Sequence, residues 1–97
     1  MRVYRSQKRW HDSYFILFFR EDAYRKRVGF SVSKKGGNAV CRNRIKRRLR
    51  AIYKESMLEL RGGDMVLLAK HGLDKVAYAT LRDSYQYALT RLGLRIW

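Results

Sequence analysis

The stretch Arg27-Val-Gly-Phe-Ser-Val-Ser-Lys-Lys-Gly-Gly-Asn-Ala-Val-Cys-Arg-Asn-Arg-Ile-Lys-Arg-Arg-Leu-Arg50 changes its period in the middle. Over residues 27–33, Val28, Phe30 and Val32 fall on one side and Gly29, Ser31 and Ser33 on the other. That alternation is the period of a strand with one small, polar face. Small side chains on a strand let a ligand or another backbone come close. Residues 34–38 (KKGGN) form a loop, with Asn38 as a possible helix cap and Asn43 as the alternative. From Ala39 or Arg42 the apolar positions step by three and four: Cys41, Ile45, Leu49, Ile52, Ser56 or Met57, then Leu60. This is the stripe of an amphipathic helix, ended by Gly62 and Gly63. A further apolar strand, Asp64 to Lys70, follows. A strand–helix–strand unit predicts that residues 28–33 and 64–69 lie parallel.

Outward from this unit, Ser13 to Arg20 (SYFILFFR) reads as another strand. Its alternation puts Tyr14, Ile16 and Phe18 on one face and Phe15, Leu17 and Phe19 on the other. Both faces are apolar, so either both are covered or one is a binding platform. Glu21 to Lys26 is a polar turn, and Met1 to Ser6 is the end of a short helix or a frayed start. Gly72 breaks the chain before a last helix from about Val76 to Leu92, with Leu81, Tyr85, Ala88, Leu89 and Leu92 as its stripe. The predicted order is strand, strand, helix, strand, helix, in a single domain over residues 1–97.

The charge is concentrated. The 97 residues carry a net +15 from 23 Lys and Arg against 8 Asp and Glu. Between Ala23 and Lys54 there are 12 basic side chains and no acid; from Arg42 to Arg50, six of nine residues are basic. An acid-free run of this length costs self-repulsion, which a polyanionic partner removes. On a helix, Arg42, Lys46 and Arg50 form one ridge, and Arg44, Arg47 and Arg48 lie across the opposite flank. Guanidinium forks suit phosphate, and Asn43 adds a group able to read a base or a sugar, unless it is the helix cap. Tyr4, Tyr14, Phe18 and Phe30 are each either core residues or base-stacking platforms.

Several classes drop out. One cysteine, Cys41, allows neither an internal disulfide nor a cysteine zinc site, and its place on the apolar stripe predicts burial. The longest apolar run, Tyr14 to Phe19, is far short of the ~20 residues of a membrane span, and no signal-peptide core follows the basic start. The chain therefore reads as cytoplasmic, with no membrane association. His11 and His71 lack metal-ligand spacing, and the carboxylates are scattered. Glu55 and Glu59 are expected to pair with Arg48, Lys54 or Arg61 rather than hold a metal. No catalytic residue, metal ligand or protein-bound cofactor is assigned, because a metal-dependent protein nuclease needs clustered carboxylates.

Residues 27–50 closely resemble the signature of the bacterial ribonuclease P protein component, with weaker similarity through Val3-Tyr4, Phe15 to Phe18, Asp64 to Lys70 and the last helix. The resemblance implies an α+β fold: a mixed β-sheet packed by helices, with a left-handed βαβ crossover around the basic helix. It implies that the first helix is truncated here, since the chain begins at what would be that helix's last turn. It further implies the accessory subunit of an endoribonuclease that removes the 5′ leader from precursor tRNA. The partners would be the catalytic RNA and that leader, with no protein partner required. The chemistry and its Mg2+ would reside in the RNA.

By position, the resemblance implies RNA contacts at Lys34, Lys35, Arg42, Asn43, Arg44, Lys46, Arg47, Arg48 and Arg50. It implies a leader cleft at Tyr4, Tyr14, Phe18, Ser31 and Ser33. The rival reading is a general RNA-binding module, a ribosomal protein or RNA chaperone, that binds RNA without affecting cleavage. A DNA-binding helix is a second rival, but its basic density on both flanks suits phosphates better than base edges.

Overall fold

The computed structural model describes residues 8–32, 38–70 and 72–96. Strands β1 (Lys8–His11), β2 (Phe15–Glu21), β3 (Lys26–Val32) and β4 (Gly63–Ala69) form one mixed sheet in the order β1-β2-β4-β3. Helix α1 (Ala39–Ser56) joins β3 to β4, and α2 (Tyr78–Leu92) follows β4. β4 is central, antiparallel to β2 and parallel to β3, as the strand–helix–strand reading requires. The fold is α+β.

Both helices pack on one face of the sheet. Phe15, Leu17 and Phe19 of β2 and Met65, Leu67 and Ala69 of β4 meet Ile45, Leu49 and Ile52 of α1 and Leu81, Tyr85, Ala88 and Leu89 of α2 in one core. Burying each large apolar side chain there stabilises the fold by roughly 1.5–3 kcal/mol. The opposite face carries a second, smaller cluster: Phe18 and Val66, flanked by Ile16 and Leu68. So both faces of β2 are apolar because both are used.

The N-cap of α1 is Asn38, whose side chain accepts the Cys41 amide at 2.9 Å. Asn43 is exposed within the helix and caps nothing. The helix ends at Ser56, followed by a 3-10 turn over Met57–Glu59. Ser56 is buried, not Met57, and it takes up the Tyr85 hydroxyl at 3.0 Å.

Three expectations are corrected. First, β1 has no counterpart in the sequence reading; it is a four-residue strand held in register by Lys8↔Phe19 and Trp10↔Leu17. Second, Gly62 and Gly63 do not cap the helix, since Leu60 is already extended. They let the chain pass close to the β2–β3 turn: a Cβ on Gly62 would sit 2.6 Å from the Asp22 carbonyl oxygen, and Gly63 adopts φ 153° against the Arg20 carbonyl. Third, Tyr14 precedes β2 and packs against the helix-side core, so it does not share a face with Phe18.

Candidate nucleic-acid interface

Helix α1 meets the rest of the protein along three lines. Its stripe Ile45, Leu49, Ile52 and Ser56 enters the core. On one flank Tyr53 meets Phe30 of β3 edge-on, with ring centroids 6.4 Å apart, and the Arg50 guanidinium lies 5.9 Å from the Phe30 centroid. Phe30 therefore serves the core and supports Arg50; it is not an open platform. On the other flank Cys41, half-buried rather than buried, points its thiol at the Asp74 carboxylate, 3.7 Å away.

The remaining arc faces outward. Asn43, Arg44, Lys46, Arg47, Arg50 and Lys54 are exposed, and Arg42 is half-exposed. Lys54 extends the basic track beyond the expected residues; its position one turn after Arg50 was the available signal. Among the described residues the ion pairs are Arg25–Asp22, Arg27–Asp64, Arg61–Glu21, Arg82–Glu55 and Arg95–Glu59. None uses a cation of residues 42–54. Glu55 and Glu59 thus pair with α2 and with the chain after it, not with Arg48, Lys54 or Arg61. The acids neutralise arginines elsewhere and leave the α1 track uncompensated, so it presents a strong, unscreened positive field.

Arg48 differs from its neighbours. It is half-buried, and its guanidinium donates to the backbone carbonyls of Leu73, Asp74 and Val76 at 3.2, 3.3 and 2.5 Å.

The sheet face opposite the helices is the second element. Phe18 is only 7% exposed, so its ring is floor rather than platform. Ile16, Leu68, Gly29 and Ser31 are partly accessible, and Ser31 stands opposite Leu68 in the β3–β4 ladder. Arg9 is exposed opposite Phe18 and so shares its face. That placement is invisible without β1. One end of this face is closed by Arg27, which grips Asp64 through two hydrogen bonds of 3.0 and 3.3 Å. The Arg27 hydrogen bonds hold the Asp64 carboxyl below its ordinary range. Tyr4, Ser33, Lys34 and Lys35 lie outside the described residues. Among the described residues, no group of three or more His, Cys, Asp and Glu is placed to hold a metal ion.

Comparison with known proteins agrees with this geometry. A sequence model of the family described as Ribonuclease P matches residues 1–93. The ribonuclease P protein component of Natranaerobius thermophilus is 42% identical over 79 residues, covering 79% of this chain and 69% of that protein. That of Syntrophomonas wolfei is 36% identical over 94 residues, covering 95% of this chain and 79% of that protein. The solved RNase P protein of Staphylococcus aureus aligns with a TM-score of 0.84 at 25% identity, covering 97% of this chain and 88% of that one. The RNase P protein of Thermotoga maritima gives 0.79 at 26% identity, with 92% and 86% covered. The likeness carried by residues 27–50 extends through sheet, helices and nearly the full sequence, and the chain belongs to the family of bacterial ribonuclease P protein components.

Proposed function

We propose that this chain is the protein subunit that binds the catalytic RNA of ribonuclease P through α1 and receives the 5′ leader of precursor tRNA on the sheet face opposite the helices. It thereby assists endonucleolytic removal of the leader. The observation that carries this reading is the uncompensated track Arg42, Arg44, Lys46, Arg47, Arg50 and Lys54, which no ion pair among the described residues touches. A folded RNA offers phosphates over a surface broad enough to meet this arc, and each contact releases counterions. Asn43, between Arg42 and Arg44, supplies a polar group for a sugar or a base edge. Lys34 and Lys35 are read as extending the track.

The leader would lie over Ile16, Leu68, Gly29 and Ser31, with Phe18 as floor and Arg9 at the border for phosphate. Tyr4 and Ser33 are read as further parts of this cleft. Bond cleavage and its Mg2+ are assigned to the RNA. Among the described residues no helix is long and apolar enough to cross a membrane, and the proposed site of action is the cytoplasm.

The test is single-turnover cleavage of a precursor tRNA at low magnesium by a bacterial ribonuclease P RNA, with and without this protein. Faster cleavage with the protein, and none by the protein alone, supports the reading. RNA binding without stimulation would favour the general RNA-binding module instead.

A further inference from the structure

We propose that Arg48 is a positioning residue rather than an RNA ligand, and that it fixes the outward-facing cations of α1 by fastening the helix to the turn before α2. The proposal rests on the reading of α1 as the RNA-binding element. Residues 41, 48 and 55 are seven apart, so they return to nearly the same side of the helix. Each meets the same stretch of chain: Cys41 the Asp74 carboxylate, Arg48 the carbonyls of Leu73, Asp74 and Val76, and Glu55 the Tyr78 hydroxyl and Arg82. Arg48 is the middle and most extensively bonded of the three.

The carbonyls it takes belong to the 3-10 turn Leu73–Lys75 and to Val76 just beyond it. The Leu73 carbonyl also accepts the Val76 amide at 3.3 Å, so Arg48 brings it a second, charged donor, and carbonyls at the end of such a turn carry partial negative charge. Three hydrogen bonds commit three of the five donors of the guanidinium to this turn. Its neighbours on the same flank, Arg44 and Arg47, are exposed and outside every ion pair among the described residues. Of the six basic residues from 42 to 50, Arg44, Lys46, Arg47 and Arg50 are exposed and Arg42 is half-exposed, while Arg48 is half-buried with its guanidinium on the turn. The apolar stripe holds α1 on the sheet, and Arg48 opposes its rolling about its own axis. Rolling would carry Arg44 and Arg47 out of line with Arg42, Lys46 and Arg50.

The experiment compares wild type, R48A, R48K and R44A for equilibrium binding to a bacterial ribonuclease P RNA across a salt series. It is run at a temperature where circular dichroism shows each variant folded. Both Arg48 variants are expected to lose at least about fivefold in affinity, the lower range for coupling between separate sites. Their salt slope should stay at the wild-type value, because the bound complex regains the same phosphate contacts and the loss is the cost of bringing the helix back to that orientation. R48K should do no better than R48A, because one ammonium cannot span three carbonyls. R44A, by contrast, should lower the slope by about 0.7–0.9, one phosphate contact.

A reduced slope in R48A with recovery in R48K would make Arg48 a phosphate ligand and overturn the proposal. Unchanged affinity in both folded Arg48 variants would leave it only a fastener of the turn, which also overturns it. Should R48A not fold, R48K decides by the same affinity and slope. Absence of salt-dependent binding by wild type and R44A alike would instead remove the underlying reading of α1.

Discussion

The Arg50 guanidinium rests over the Phe30 ring, 5.9 Å from its centroid, so a cation on the exposed basic track of α1 is supported by a side chain that belongs to the sheet. An exposed cation–π contact is worth about 0.5–1 kcal/mol. Phe30→Leu should therefore weaken RNA binding about two- to fivefold while the salt slope holds, since no charge is lost. Arg50→Ala should lower the slope by about 0.7–0.9. Filter binding at several salt concentrations separates the two. Equal slopes in both variants would show that Arg50 does not reach phosphate.

The ridge Arg42, Lys46 and Arg50 should act additively on the same readout. The triple Ala variant is expected to lose about 2–3 units of salt slope, three contacts' worth. Arg61, paired with Glu21 at 3.6 Å and donating to the Gly93 carbonyl, is the contrasting position. Arg61→Ala should leave the slope unchanged. A comparable loss at Arg61 would mean that RNA engages the ion-paired end of the molecule as well.

Asn38 accepts the Cys41 amide and is the side-chain cap of α1. Asn38→Ala should destabilise the protein by about 1 kcal/mol in urea unfolding, within the usual 0.5–2 kcal/mol for a lost cap. Asn38→Gly should cost only a few tenths of that unit. If Asn38→Ala were neutral, the cap would not contribute.

Tyr85 is fully inside, its hydroxyl bonded to Ser56 and 3.9 Å from the Met65 sulfur. Burial pushes its hydroxyl far above the ordinary tyrosine range. A raised folded value means that the stabilising contribution is complete below the unfolded value, near 10, and is lost as pH rises beyond it towards the folded one. Wild type should accordingly lose stability above about pH 10. Tyr85→Phe should be about 1 kcal/mol less stable at neutral pH and less sensitive in that alkaline window. Thermal unfolding from pH 8 upward checks both; parallel curves would assign the alkaline loss to other groups.

The acid side runs the other way. Hydrogen bonds from Arg27 keep the Asp64 carboxyl below its unfolded value. Its contribution is present above the unfolded value, near 3.9, and disappears as pH falls through the folded one. Asp64→Asn should flatten the acid limb of stability below about pH 4, by less than about 1 kcal/mol because the Arg27 partner is exposed. An unaltered acid limb would assign the loss to other carboxylates.

The sequence carried the elements with a strong period. The alternation of Val28, Phe30 and Val32 and the stripe of Ile45, Leu49 and Ile52 each appear on the expected side. The sequence left Asn38 and Asn43 as alternative caps, and the structure takes Asn38. Strand β1 was not legible, because Lys8-Arg9-Trp10-His11 is too short and mixed to show a period, and only the ladder to β2 defines it. Without β1, Arg9 could not be set beside Phe18. The bonds of Arg48 were hidden for a related cause: its partners are backbone carbonyls of a turn 25–28 residues away, which no side-chain pattern announces. The Arg82–Glu55 pair spans a comparable gap, whereas the sequence reading sought neighbours within α1.

The central place of β4 also sets an order of events in time. β2 and β3 do not pair with each other; both wait for β4, which is made after the whole basic helix. A ribosome moving from the N-terminus can complete only the β1–β2 hairpin before residue 63, and such a hairpin is marginal alone. The acid-free segment 23–54 thus emerges as a polycation without a sheet beneath it, in a cell full of RNA. The newly made chain must therefore gain β4 quickly or meet nucleic acid unfolded, a hazard that long-range strand pairing imposes on its synthesis.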